Sequence, residues 1–386
     1  MLHISLFNFF YYWTVSIINA FLPLLFRYKG MSPAEIGVVL AVGPIVAIFS
    51  QPLWGVISDK KRTIKKVIVL LLITTFIVSF GVFFSPSMSF LIVFMMIFHF
   101  FMSPIQPLLD SLSTKFAKDN GVSYGSIRVW GSIGFATASL ILGIIIGKVG
   151  IQYLWIIYSL IIFCVLLISL KLTDSEANRK PLTLKGFQKA FSNSRLLGVL
   201  IAVLFIAIPH RMNDGLLGIY LQSLGASEGK IGLAWTFSAL SEAPVVAIMY
   251  VLMRKIPLLA LISMAGCFYT LRWFLYSILT DPLMIIMSQA MHSVTFAIFM
   301  VATLQYIAQI IPEEMLATGQ TAYYATFSGL ASIIGSSLGG YFMQYYGGNF
   351  IYKMGAVSAL VGTSIFFILF LQDMKRQKQN MFDQKV

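Results

Sequence analysis

Twelve stretches of this chain stay apolar for about 20 residues, near the length a helix needs to cross ~30 Å of hydrocarbon. They fall at 4–27, 36–58, 67–84, 89–113, 125–147, 151–170, 195–223, 228–253, 258–279, 282–311, 319–344 and 348–371. In lipid a backbone N–H or C=O finds no water, so each such stretch must pair its own backbone groups as a helix. The expected fold is therefore an all-α integral membrane protein with twelve transmembrane helices. With 58% hydrophobic and 11% charged residues among 386, a soluble domain is excluded. The spans split six and six around a polar stretch. This gives an N-terminal six-helix bundle at 1–170, a cytoplasmic linker at 171–194, a C-terminal bundle at 195–371 and a cytoplasmic tail at 372–386. Leu184, Phe187 and Phe191 are spaced for one face of a short basic surface helix in the linker, with an irregular loop as the alternative.

A net charge of +13 could point to nucleic acid, but its distribution points to topology. With the N-terminus inside and the spans alternating, nineteen Lys and Arg fall in cytoplasmic segments and five in outer ones. Arg128, Arg211 and Arg272 lie within spans. The bias places both termini in the cytoplasm and the chain in the cytoplasmic (inner) membrane, with no nucleic-acid partner. The start of the chain has neither a basic leader nor a small-residue cleavage site, so the first span reads as a retained helix. Cys164 and Cys267 both lie in apolar spans and read as packing residues.

Two features suggest repeated halves and close helix packing. The pattern Gly30-x-Ser32-x-x-x-Ile36-Gly37 recurs as Gly225-x-Ser227-x-x-x-Ile231-Gly232, each copy between the first and second spans of its half. Parallel six-span repeats are a transporter architecture. Ser139, Gly143 and Gly147, and likewise Gly335 and Gly339, are spaced four apart and let helix backbones approach. Pro104, Pro107 and Pro209 interrupt spans that also carry polar groups, which is tolerated beside protein or a cavity.

Six charges inside these spans, Asp110, Arg128, Arg211, Asp214, Glu242 and Arg272, mark the functional region. Each costs ~2.5–3.5 kcal/mol at a helix centre unless paired or hydrated. His99, Ser103, Gln106 and Asp110 share one helical face. Asp110 and Arg128 lie at similar depth on adjacent spans, either as a structural ion pair or as groups that hold a ligand. Phe135 lies two turns beyond Arg128 on the same face and can stack on a ligand or simply pack. Glu242, Arg272 and His292 reach the middle of their spans. Burial favours the neutral carboxyl and a nearby cation favours the carboxylate, so a glutamate held between them can load and release a proton. Histidine suits the same task, although a hydrogen-bonded core histidine is the plainer reading. Arg211 and Asp214, one turn apart, can neutralise each other. Asn8, Tyr12, Ser16 and Asn19, and Gln320, Tyr324, Ser328 and Ser332, form polar stripes that either line a cavity or bond helices together. No nucleotide-phosphate loop, metal-ligand spacing or nucleophile motif is present. The expectation is a non-enzyme with no cofactor, no metal and no catalytic residues.

The run QPLWGVISDKKRTIKK at 51–66 resembles the signature loop of the major facilitator superfamily, through Gly55, Asp59 and Arg62 with the basic residues that follow. Together with YGSIRVWGSIGFA at 124–136, the Glu242 segment, LRWFLYS at 271–277 and the His292 helix, it is similar to the branch of lactose permease and its sugar–proton symporter relatives. The phenylpropionate permeases share that layout. The resemblance implies that the 51–66 loop braces the two halves as a gating motif. It implies that Asp110, Arg128 and Glu242 hold substrate, with Phe135 where the sugar symporters stack a tryptophan. It also implies that Glu242, Arg272 and His292 handle protons. Two positions depart from the pattern. The proton-carrying glutamate one turn after the histidine is Thr295, and a lysine one turn before it is Gln289. Glu242 or Asp110 must then take the proton role. The expected activity is proton-coupled uptake of a small organic solute, an aromatic acid or a sugar, by alternating access. Its partners are protons and the lipid bilayer, and it acts as a monomer. A drug exporter of the same fold and a non-transporting membrane sensor are the alternatives.

Overall fold

The computed structural model describes residues 1–174 and 193–383. Twelve helical rods run through them: α1 (Leu2–Tyr28), α2 (Pro33–Lys61), α3 (Lys65–Phe84), α4 (Met88–Asp119), α5 (Tyr124–Val149), α6 (Ile151–Ser169), α7 (Ser194–Ser223), α8 (Glu228–Lys255), α9 (Leu258–Ile278), α10 (Pro282–Ile310), α11 (316–346) and α12 (Gly348–Asp383). Among the described residues, eleven are long and apolar enough to cross a membrane. The remaining rod, α11, is built largely from Gly, Ser, Thr and Tyr, because it is buried against other rods on several sides. Large apolar side chains such as Ile77, Phe49, Leu160 and Val357 are exposed, as a lipid-facing surface requires. The expected surface helix with Leu184, Phe187 and Phe191 lies outside the described residues.

An even number of rods brings both ends of the chain to one face, here the termini face, opposite the far face. Within the first six rods α1 lies along α5 and α6, while α3 lies along α4 and α6. Within the last six α12 lies along α7 and α9. Two long seams cross between these groups, α2 against α11 and α5 against α8.

The local signals that start and stop the rods are capping and turn chemistry. Ser32 and Glu35 form a reciprocal capping box at α2. Ser123, Asn193 and Asp281 each place a side-chain oxygen on the first free N–H groups of α5, α7 and α10. The recurring Gly-x-Ser pattern is explained by its geometry. Gly30 and Gly225 take φ of +89° and +86°, where a Cβ is disfavoured. Ser32 and Ser227 are the N-cap residues of α2 and α8, and Ile36 and Ile231 are fully buried.

Three rods contain a π-turn, at Ile17–Phe21 in α1, Ser293–Ala297 in α10 and Ala325–Leu330 in α11. Such turns shift the helical face by one residue and concentrate at functional positions. Of the three prolines, Pro104 coincides with a break in α4 after Met102, whereas Pro209 sits inside an unbroken α7. One sequence expectation needs correction. Cys164 and Cys267 are exposed, not packed, since a thiol suits lipid as well as a core. The last helix continues past residue 371 to Asp383.

Candidate functional site

On the N-terminal side, α4 and α5 deliver Asp110 and Arg128 to a shared region but do not join them. Asp110 Oδ1 accepts from the Tyr124 hydroxyl at 2.9 Å and from Gln106 Nε2 at 3.0 Å. Arg128 instead lies on the ring of Tyr12, its guanidinium carbon 4.6 Å from the centroid. Gly131, one turn on, leaves room for this: a Cβ there would stand 2.8 Å from Arg128 Nη1. Among the described residues Arg128 has no ion pair, so the structural salt bridge allowed by the sequence is not formed here. Phe135 reaches across the α5–α8 seam and meets Trp235 edge-on at 6.0 Å. The indole N–H of Trp235 is buried without a hydrogen-bond acceptor. Tyr124 and Trp235 were not singled out from the sequence, because an aromatic residue in a membrane helix carries no mark of its role.

The polar stripe of α4 divides. The imidazole of His99 packs against Gly43 of α2 and Ser103 pairs with Ser50 of the same rod, so both serve helix packing. In α1, Ser16 pairs with Ser139 of α5 at 2.9 Å, and Asn8 bonds the Ile4 carbonyl. Asn19 of the same stripe is exposed.

On the C-terminal side the structure brings Glu242, His292 and Arg272 into one chain of contacts. Glu242 Oε1 lies 3.0 Å from His292 Nε2. His292 Nδ1 lies 3.1 Å from Arg272 Nη1. A guanidinium can only donate, so Nδ1 accepts, the ring is neutral and its single N–H points at the Glu242 carboxylate. Arg272 is fully buried. Its other partners are the Tyr276 hydroxyl at 3.2 Å, the Thr295 hydroxyl at 3.3 Å and the Gln289 side-chain oxygen. The rings of Trp273 and Tyr276 flank it. None of these partners is anionic. Thr295 and Gln289, the two departures from the resembled pattern, thus act as neutral acceptors for this arginine. Its counter-charge is Glu242, one imidazole away. Glu242 itself is about a third exposed, whereas Arg272 is fully enclosed.

A third group stands beside this one. Arg211 Nη1 meets Asp214 Oδ2 at 2.9 Å, as the one-turn spacing allowed, and Arg211 Nη2 donates to Ser328 at 2.7 Å. The guanidinium rests on Phe327, which the π-turn of α11 presents. His210, missed in the sequence reading, is buried between these groups and the Glu242 array. Its ring stacks on His292 at 5.4 Å and on Phe296 at 5.1 Å. A signal existed: His210 precedes Asp214 by four residues and so shares its helical face. Among the described residues no group of three or more His, Cys, Asp or Glu could hold a metal ion.

Toward the far face, the two seams between the halves close on glycine contacts. Gly37 of α2 meets Ser336 and Gly340 of α11, and Gly232 of α8 meets Ser139 and Gly143 of α5. Each glycine is the last residue of one copy of the recurring pattern. Each meets a Ser-x-x-x-Gly pair. Gly335 and Gly339 of the sequence-read stripe pack instead on Met212 of α7. Thr236 adds a hydrogen bond to the Ala136 carbonyl at 3.0 Å, and Gln344 accepts from the Ala34 N–H at 3.3 Å. All of these contacts lie in the far-face part of the rods.

At the termini face, among the described residues, no hydrogen bond or ion pair joins the 51–66 motif to the last six rods. Nothing stands within 4 Å of a Cβ built on Gly55. Arg62 closes α2 in the left-handed conformation at φ 50°. The next helix is capped from a distance: Asp174 accepts from the Thr63 hydroxyl and from the backbone N–H groups of Ile64 at 3.1 Å and Lys65 at 3.0 Å. The chain thus stays attached to the first six rods through Asp174, within the stretch assigned to the linker.

Residues 1–354 match the family described as MFS_1 like. An uncharacterized transporter of Bacillus subtilis (strain 168), YwbF, is 26% identical over 94% of this chain and 92% of its own length. The maltose permease of Geobacillus stearothermophilus is 27% identical, with 95% of this chain and 94% of that protein covered. The probable 3-phenylpropionic acid transporter of Escherichia coli (strain K12) is 25% identical, with 90% and 92% covered. The crystal structure of the nucleoside transporter NupG shares the fold, with a TM-score of 0.87 at 18% identity over 96% of this chain and 98% of that one.

Proposed function

We propose that this chain, which belongs to the MFS_1 like family and is a secondary transporter of the major facilitator type, takes up a small organic solute together with protons. The observation that carries the proposal is the Glu242–His292–Arg272 array. A fully buried arginine with only neutral direct partners depends on one partly exposed carboxylate for charge balance. A proton on Glu242 leaves the array with one uncompensated positive charge. An anionic solute restores neutrality, so proton and solute favour each other's binding. Arg128, with no carboxylate partner among the described residues, is the group we assign to the solute's anionic or hydroxyl end. Asp110, Phe135 and Glu242 complete the solute site. In this reading the termini face is cytoplasmic, the protein acts as a monomer in the inner membrane, and the structure corresponds to the state closed to the outside. The 51–66 motif with Gly55, Asp59 and Arg62 engages the other half when the cytoplasmic side closes.

An aromatic carboxylate fits the charge argument, and a relative is named for 3-phenylpropionic acid. A sugar is the second reading. Both hydrogen bonds to Asp110 land on Oδ1, leaving Oδ2 for a ligand hydroxyl, and another relative is named for maltose.

The test is external pH in weakly buffered, de-energised cells given 3-phenylpropionate, maltose or a nucleoside in turn. Alkalinisation with one class, abolished by Arg128→Ala, is the expected result. For the acid, that variant also controls for passive entry. No pH change with any class would refute proton-coupled uptake of these solutes.

A further inference from the structure

The proton-handling reading leaves the buried His210 unused. We propose that His210 and Asp214 form a second proton-accepting pair, set against the Glu242–His292 pair so that a proton held by one opposes a proton held by the other. The inference rests on the reading of the site as a proton-handling one.

The two pairs have the same order of partners, but the second is looser, and its carboxylate oxygen is shared with Arg211. His292 turns Nδ1 to a buried donor, Arg272, and Nε2 to a carboxylate, Glu242, at 3.0 Å. His210 turns Nδ1 to the hydroxyl of Tyr269 at 3.1 Å and Nε2 to Asp214 Oδ2 at 3.7 Å. In the matching tautomer Tyr269 donates to Nδ1, and the His210 N–H faces the Asp214 carboxylate. The two rings are nearly parallel, 22° apart in plane with centroids at 5.4 Å. Stacked faces pass no hydrogen bond between them, so the pairs communicate by charge. Two imidazolium rings so placed, away from water, repel.

The groups facing His210 define its charge environment. Its own rod supplies Arg211 and Asp214, which are joined at 2.9 Å. From α9 come Tyr269 and Arg272. From α10 comes His292, with Glu242 of α8 behind it. From α11 come Phe327 and Tyr323, and α12 contributes Tyr352, bonded to Asn213. With both rings neutral, the two arginines and two carboxylates cancel. A proton on each ring would leave the cluster doubly positive. Thr295 carries no proton, so Asp214 is the further acid that reaches this stack.

The experiment is histidine-selective NMR on the purified full chain in detergent, titrated from about pH 5 to pH 9, the range in which histidine switches. The chain has four histidines, and His99, packed on Gly43, serves as internal reference. The midpoint of the His292 ring changes in His210→Gln, and that of the His210 ring changes in His292→Gln and in Asp214→Asn, by about one pH unit in each case. His99 stays unchanged in all three, which also reports that each variant is folded. Independent midpoints for the two rings, or no titration of His210 in any form, would overturn the proposal. Transport separates this outcome from the reading beneath it. With 3-phenylpropionate and maltose as probes, His210→Gln loses pH-gradient-driven accumulation yet keeps exchange of internal for external solute. Equal loss of both, or of neither, would also overturn it. Absence of proton movement in the parent protein, by contrast, would refute the proposed function and not the coupling of the two rings.

Discussion

Replacing either seam glycine by alanine loads its whole cost onto the far-face-closed state. A Cβ on Gly37 would stand 3.0 Å from the Gly340 Cα and closer still to the Ser336 carbonyl oxygen. A Cβ on Gly232 would stand 3.1 Å from the Gly143 Cα and closer to the Ser139 carbonyl oxygen. Carbon atoms pack best at ~3.5–4.0 Å, so each pair of rods must part by about 0.5–1 Å. The obstructing atoms are backbone, and no side-chain rotation can clear them. Overpacking of this kind costs ~1–3 kcal/mol. In the proposed alternating access both contacts part when the far face opens, so the closed-to-open ratio falls by about 5- to 150-fold per substitution. The two seams share no residues, and their effects should add in the double variant. The assay is the rate at which a membrane-impermeant maleimide, supplied from the far face, labels a cysteine placed at the exposed Asn19 of α1. Labelling should accelerate by that factor in Gly37→Ala and in Gly232→Ala. Gly198→Ala, whose Cβ would meet nothing nearer than a Leu369 methyl at 3.9 Å, should label like the parent. Parental labelling rates in both seam variants, with parental uptake, would refute the claim that these contacts form the far-face seal.

Two further outcomes test the supports of the site. Asp174→Ala removes three hydrogen bonds from the start of α3. It should lower the stability of the first six rods by ~0.5–2 kcal/mol, read as an earlier thermal transition in detergent, and an unchanged transition would contradict the capping role. Arg272→Ala strips Tyr276, His292, Thr295 and Gln289 of a shared donor and leaves Glu242 without its cation. A loss of ~3–5 kcal/mol is expected, seen as little folded protein in the membrane, and parental yield and melting would contradict it.

The sequence was most readable where lipid dictates the answer. Spans such as 195–223 and 282–311 match α7 and α10 to within a residue, because every backbone group in hydrocarbon must pair within its own helix. The recurring Gly-x-Ser pattern was visible too, but its meaning was not. The partners of Gly37 lie some three hundred residues away, and nothing local distinguishes Gly340, which closes the seam, from Gly339, which packs on Met212. Glu242, His292 and Arg272 were each identifiable as costly residues in lipid, and the fold brings them together. The same argument could not say that Arg128 lies on Tyr12 instead of pairing with Asp110. A charge in a span reveals that it has a partner, and only the tertiary arrangement names it. His210 escaped notice because its partners Tyr269, His292 and Phe296 lie on other rods, and its one local cue is the four-residue spacing to Asp214.

The most direct test of the account is accumulation driven by a pH gradient in vesicles containing the purified protein, comparing the parent with Glu242→Gln. One pH unit is worth about 1.36 kcal/mol per coupled proton, or about tenfold accumulation of the transported solute. The account predicts that the parent approaches this ratio, while Glu242→Gln equilibrates the solute without concentrating it and still exchanges internal for external solute. Accumulation by Glu242→Gln equal to the parent's would show that the proton travels elsewhere, and the proposed role of the Glu242–His292–Arg272 array would fall.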